Sequence, residues 1–561
     1  MRLSLRVTLP LVLFALLLVA APARADSVAP VQSVWPAPTV VPPGYKLTSI
    51  AAHRIALNSP VGRKLRAKYP GIPSQVYIAG IHDGIGYWQI DFLGKKIPLG
   101  EVEVNGENGR IVKSFMGWQA ANPQSRGHLA RMADSWWVWL PLCLLFVAPF
   151  IDPRRPFRLL HLDLAMLLAF GISHLVFNQG HVLASVPLVY PVLAYLLARM
   201  LWAGLRARIR REALVPYART SWLVAGIVVL LAFRIFVNVA NDQVIDVGYA
   251  GVVGADRIEH KQPLYLANDA HGDTYGPVNY LAYVPFELVF PNHGAWDSLP
   301  AAHAATIFFD LMVLAGLFMA GVRLRAGPAG RRLGITLAYA WVAYPYTLYA
   351  LATNTNDALV AGLLVLAFLS LRSPAARGGW LGLGAAAKFI PLALAPLFAT
   401  GTGERRPRQL ARFALALAAV VAISLGVYVP RSSFHDFWAS TISYQLHRVS
   451  PFSIWTLYPS LHWLQLLVAA GAGALAVAVA FVPRRRDAVQ VAALAAAVLI
   501  ATQLPSGHWF YFYIVWFAPF VLIALFASHV EGDPGEEIAL ASAKPAADAA
   551  ARAALVSSPP A

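Results

Sequence analysis

The sequence predicts a polytopic α-helical membrane protein of about eleven spans plus a re-entrant helical hairpin, with a small α+β extracytoplasmic domain at its N-terminus. Three observations carry this. Of 561 residues, 58% are hydrophobic and only 13% are charged, too apolar for a string of soluble domains. The apolar residues gather in runs of roughly the 17–25 residues needed to cross hydrocarbon. Arginines collect in short segments between those runs, as the positive-inside rule requires of cytoplasmic loops. The formal charge of +17 therefore reports orientation, and no nucleic-acid partner is expected. The single cysteine, Cys143, lies in an apolar run, so neither an intrachain disulfide nor a cysteine-rich metal site can form.

Residues 1–25 read as a secretory signal, with Arg2 and Arg6 ahead of an apolar core and Ala23-Arg24-Ala25 before Asp26. An uncleaved first anchor is the alternative. Residues 26–133 are soluble in character and open with a Pro-rich linker. Pro60 to Tyr69 suits a short basic helix, while Trp88-Gln89-Ile90-Asp91-Phe92 and Glu101-Val102-Glu103-Val104 alternate at period two. Asn105 to Gly109 supplies a turn before Arg110-Ile111-Val112. The helix, strand and hairpin resemble a PepSY-like module, which implies a binding or regulatory accessory domain.

Runs suited to spans follow at 135–151, 159–177, 183–204, 220–240, 302–324, 333–351, 355–372, 409–429, 458–482, 487–504 and 508–528. Residues 134–219 form three accessory spans, and residues 220–528 the main membrane unit. With Asp26 outside, alternation places Arg155 and Arg158, then Arg206 and Arg208, then Arg323 and Arg325 inside. The polar stretch 241–300 then faces outward, as do Gln445 to Pro451 and Ser506 to His508. Residues 380–398 break the alternation, since arginines flank them on both sides: Arg372 and Arg377, then Arg405, Arg406 and Arg408. A hairpin turning near Lys388-Phe389-Ile390-Pro391 keeps both clusters inside. Residues 529–561 read as a disordered cytoplasmic tail. The chain is thus placed in a bacterial inner membrane.

Few residues in the spans and outer loops carry chemistry. Lys388 is an ionisable group at membrane depth, either a snorkelling lysine or a fixed cation for an anionic headgroup or phosphate. Asp246 sits at the mouth of the 220–240 span, in an outer stretch that also holds Asp242, Asp256, Glu259, Asp269 and Asp273; a solvated acidic loop is the plain alternative. Asn356 and Asp357 open a span at the outer face, where helix capping would explain them. Aromatic belting explains Trp455, Trp509, Tyr511 and Tyr513, but not the outward Arg448. No recognisable metal set is complete, so no cofactor is expected, and a divalent metal is left open.

Residues 220–528 resemble the polytopic GT-C glycosyltransferases, in particular the family 87 group of polyprenyl-phosphate-sugar-dependent, mannosyltransferase-like proteins. The resemblance rests on Asp246-Val247-Gly248-Tyr249, Gln262-Pro263-Leu264-Tyr265, Thr274-Tyr275-Gly276-Pro277, Asn356-Asp357, Ala386-Ala387-Lys388-Phe389-Ile390-Pro391, Gln445 with Arg448, and His508 before an aromatic span. It implies that Asp246 is the catalytic base of an inverting transfer from a polyprenyl phosphate sugar to an extracytoplasmic glycan, lipid or protein. Lys388, Arg448 and His508 would bind the donor phosphate, and Tyr275, Asn356, Asp357 and Gln445 the substrate. A lipid or solute transporter using Lys388, or an envelope sensor using the N-terminal module, are the rival readings.

Overall fold

The computed structural model describes residues 40–529 except 43, 83–84, 94–97, 117–130, 154, 179–180, 207–218, 241–243, 266–273, 293–298, 404, 432, 444 and 446–451. The signal segment, the tail beyond 529, Asp242, Asp269, Asp273 and Arg448 lie outside the described residues.

At the N-terminal end, Thr48 Oγ1 accepts from Ala51 N (3.3 Å) to start helix Ser49–Asn58. Ser59 Oγ accepts from Gly62 N (2.9 Å) to start helix Pro60–Lys68, where proline sits at the first position and loses no helical bond. Four antiparallel strands follow in sequential order: β1 (Ser74–His82), β2 (Ile85–Leu93), β3 (Pro98–Asn105) and β4 (Ile111–Met116). Val76, Trp88, Ile90, Phe92, Val102 and Val104 point to one face and bury against Ala52, Ala56 and Leu65 of the helices. Trp88 closes that core by donating its indole N–H to Leu47 O (3.1 Å). The other face sets Asp91 opposite Glu101 and Gln89 opposite Glu103. Helix Ser49–Asn58 and strand β1 add to the elements expected from the sequence.

The rest of the described chain is helical. Six helices are long and apolar enough to cross a membrane: Leu159–Asn178, Ala184–Leu205, Thr220–Ala240, Pro300–Leu324, Pro407–Tyr428 and Pro459–Ala478. Shorter apolar helices occupy Trp136–Phe150, Asp357–Leu369, Ala488–Gln503 and Tyr511–Phe526. Helices Ala488–Gln503 and Ile514–Phe526 are buried along almost their whole length and form the centre of the bundle. Pro407–Tyr428 buries only Phe413 and Ser424 and lies at its edge.

Run 333–351, expected as one span, is two helices, Gly327–Ala343 and Pro345–Ala352. Pro345 has no N–H to continue the ladder, and it drives Tyr344 into an extended conformation (ψ 121°). The polar stretch 241–300 is also built rather than open: it contains helices Asp246–Glu259, Pro277–Leu281 and Val284–Glu287.

Residues 374–400 form the expected hairpin. Helix Pro374–Ala387 ends at Lys388, and a tight turn and helix Ala395–Thr400 return the chain. Arg377 closes the ends by donating to Ala399 O (3.0 Å) and to Leu371 O. Arg486 holds the same end by donating to Gly401 O (2.6 Å) and Thr400 Oγ1. The arginines flanking the segment therefore lie at one end of it.

The accessory helices share the core of the main unit. Tyr344 OH donates to Leu167 O (2.9 Å), Tyr339 OH to Leu145 O (2.8 Å), and Ser173 Oγ lies 2.7 Å from Tyr511 OH.

Candidate functional site

The site is organised by the turn 353–357 between helices Pro345–Ala352 and Asp357–Leu369. Asn354 takes a left-handed conformation there (φ 55°), which asparagine tolerates better than most residues. Its carboxamide is fixed from below: Asn238 Nδ2 donates to Asn354 Oδ1 (2.7 Å) and to Leu351 O (2.6 Å), and His303 Nδ1 lies 2.9 Å from Asn238 Oδ1. The turn is thus rigid.

Two segments of the polar stretch 241–300 dock on this turn or on the hairpin beside it. Ile245 N donates to Thr353 O (3.2 Å), and Gly248 lies so close to the Asn354 carbonyl that a Cβ would not fit. Gly276 N donates to Ala387 O (3.1 Å), and here too a Cβ would collide with the Ala386 carbonyl. The first contact places Asp246, and the second places Tyr275.

At the centre, Lys388 Nζ lies 2.5 Å from Asp357 Oδ1, with side chains 11% and 3% exposed. Trp516 donates its indole N–H to the same oxygen (2.9 Å). The Lys388 ammonium stands 5.1 Å from the Tyr275 ring centre and 5.3 Å from that of Trp516, within cation–π range. Asn356 Nδ2 donates to Asn279 Oδ1 (2.8 Å). Asn356 is the N-cap residue, but its side chain makes no capping bond, and the Asp357 carboxylate is engaged by Lys388 and Trp516.

His508 connects to this centre through aromatic rings. It faces Tyr513 at 5.9 Å, and Tyr513 stacks on Trp516 at 4.3 Å and 20°. Beside His508, Phe177, Val186, Val189, Tyr190, Phe452 and Phe510 line an apolar crevice. Asp246 is the exposed first residue of its helix, and Val247 N donates to its carboxylate (2.9 Å). Gln445 is exposed. The structure therefore brings Lys388, Asp357 and Tyr275 into direct contact. Asn356 sits beside them, His508 joins through two aromatic rings, and the Asp246 helix docks on the same turn. Arg448 lies outside the described residues.

Among the other acids of the polar stretch 241–300, Asp256 Oδ1 lies 3.1 Å from His260 Nδ1. The Glu259 carboxyl is held above its ordinary range by desolvation and by the neighbouring Glu287. Among the described residues, no group of three or more His, Cys, Asp or Glu side chains could hold a metal ion.

Three members of the site carry little mark in the sequence. Trp516 and Tyr513 sit in an aromatic-rich span where belting already accounts for them. The one signal at Trp516 is an indole N–H that needs an acceptor away from water. Asn279 is an ordinary polar residue of the short helix Pro277–Leu281.

A helical, multi-pass membrane protein with a half-buried cation among aromatic rings is the class that fold and site define. Residues 274–507 match the model of glycosyltransferase family 87. That segment contains Tyr275, Asn279, Asn356, Asp357, Lys388 and Gln445, ends next to His508, and begins after Asp246. Among solved structures, the crystal structure of ArnT from Cupriavidus metallidurans bound to undecaprenyl phosphate is similar at 18% identity and a TM-score of 0.38. The match covers 55% of this chain and 60% of that one. No curated protein matches the chain.

Proposed function

We propose that the protein is an integral-membrane glycosyltransferase that moves a sugar, mannose-like in the first instance, from a polyprenyl phosphate to an acceptor on the extracytoplasmic side. The observation that carries this reading is Lys388, held between Asp357, Tyr275 and Trp516 inside the segment matching family 87. A cation at depth needs a task or a partner, and Lys388 has a partner while keeping part of its surface open.

In the transfer, the acceptor hydroxyl oxygen attacks the anomeric carbon and the bond from that carbon to the phosphate oxygen breaks. The bonding electrons leave with the phosphate, and Lys388 and His508 meet the growing negative charge. Asp246 takes the hydroxyl proton. A single displacement inverts the anomeric configuration.

Incubating the purified protein with a panel of polyprenyl phosphate sugars and following polyprenyl phosphate release tests the reading. The break in the hairpin at Lys388 also suits a transporter, in which charged ligands meet interrupted helices. Donor movement across vesicles without sugar transfer would favour that second reading.

A further inference from the structure

We infer that Asp357 is a positioning residue and built-in counter-ion for Lys388, which lowers the enzyme's preference for the dianionic product and so speeds its release. The inference rests on the reading of Lys388 as the cation for the donor phosphate. It reassigns Asp357 from substrate ligand to electrostatic partner.

Three observations support it. First, Asp357 Oδ1 already accepts from both Lys388 and Trp516, so the carboxylate atom nearest the cation is engaged. Second, the pair is asymmetric in exposure: the carboxylate side chain is 3% exposed and the lysine 11%. The lysine is thus the more accessible partner of the pair. Third, the Asp357 bond is the only hydrogen bond of the Lys388 side chain among the described residues, and an ammonium has three N–H donors. Its other neighbours are ring faces, which attract the charge without taking an N–H in a directed bond. Two donors therefore remain for phosphate oxygens while the Asp357 contact persists.

The consequence follows from charge. The donor is a phosphodiester carrying one negative charge, and the product is a phosphomonoester approaching two. A phosphate on Lys388 lies within a few ångströms of Asp357, and the carboxylate repels the more highly charged species more strongly. Asp357 thus offsets part of the attraction of Lys388, and the offset is greater for product than for donor. Trp516 holds the carboxylate so that it does not swing toward the phosphate.

The test compares equilibrium binding of polyprenyl phosphate and of its methyl phosphodiester, as a non-reactive stand-in for the donor, to the full chain in detergent at pH 7.5. Asp357→Asn keeps an acceptor for both Lys388 and Trp516. It is expected to tighten polyprenyl phosphate by roughly tenfold or more and the diester by less. In turnover it should lower KM and kcat together. Asp357→Glu, which restores the charge, should return the ratio of the two affinities toward wild type.

Unchanged or weaker product binding in a folded Asp357→Asn protein would overturn the inference. If Asp357→Asn does not fold, wild type alone decides: near-equal affinity for the two probes supports the counter-ion, and a monoester preference above roughly tenfold contradicts it. The double variant Asp357→Asn/Lys388→Met separates the two layers. If it binds polyprenyl phosphate as tightly as Asp357→Asn does, the assignment of Lys388 as phosphate cation is wrong. If binding is lost there but Asp357→Asn shows no tightening, only the counter-ion role falls.

Discussion

Two ion pairs in this protein, each on a buried aspartate, are built from the same parts and differ in the exposure of the cation. In each, an aspartate oxygen accepts from a tryptophan indole and faces a cation: Asp310 with Trp341 (2.9 Å) and Arg234 (2.7 Å), and Asp357 with Trp516 (2.9 Å) and Lys388 (2.5 Å). Arg234 is fully buried and also donates to Thr347 Oγ1 (2.8 Å) and Val342 O (3.3 Å), joining helix Thr220–Ala240 to the segments around Pro345. Lys388 keeps an exposed fraction, and among the described residues its side chain has one hydrogen bond. A planar guanidinium spends its donors on the protein, whereas a flexible ammonium retains some for a ligand. The first pair is a clamp between helices, and the second is poised for binding.

The comparison can be broken from either side. Asp246→Asn leaves both pairs intact and removes the proposed base, so transfer should fall by about 10²–10⁴, with the melting temperature unchanged. Full activity in that variant would remove Asp246 from the mechanism. Arg234→Gln strands Asp310 away from water and should cost about 3–5 kcal/mol of stability, read by thermal unfolding in detergent, while molecules that remain folded transfer sugar normally. Lys388→Gln keeps a donor for Asp357 and should show the reverse pattern. Turnover drops by about 10²–10³, and the stability loss is smaller than for Arg234→Gln. If both cation variants lose stability equally and activity only in proportion, the two pairs are of one kind.

Much of this arrangement is legible in the chain, and the reason differs from part to part. The hairpin follows from arginines on both sides of 380–398, because sidedness is written in local charge. Lys388 stands out because an ionisable residue in an apolar run is rare. Its pairing does not: Asp357, itself a candidate from the sequence, is 31 residues away and Trp516 is 159 residues from Asp357, separations over which one sequence carries no pairing signal. Strand β1 is hidden for a local reason. Its register slips between Ile78 and Gly80, which breaks the period-two alternation by which strands are recognised. The break at Tyr344–Pro345 is marked by its proline, yet the apolar run continues across it and reads as one span.

The N-terminal sheet shows the same rule away from the membrane. Asp91 is 6% exposed, and desolvation raises its carboxyl to about 6 although Gln89 Nε2 donates to it (3.0 Å). A raised folded-state value favours the protonated acid, so the contribution to stability is fully present below about 3.8 and is lost as pH rises through about 6. Asp91→Asn should therefore stabilise the sheet at pH 7.5 by about 1–3 kcal/mol and make little difference at pH 4. Hydrogen exchange of β2 peptides in the full chain reads this. A variant that destabilises at pH 7.5 would show that Asp91 has a charged partner there.

The account turns on Lys388 as the cation that receives the leaving phosphate. The most direct measurement is release of polyprenyl phosphate from a panel of polyprenyl phosphate sugars, with wild type and Lys388→Gln purified in parallel. Acceptor-dependent release by wild type from at least one donor, reduced by about 10²–10³ in the variant, is expected. Release that is equal in the two proteins, or absent with every donor while vesicle transport proceeds, would contradict it.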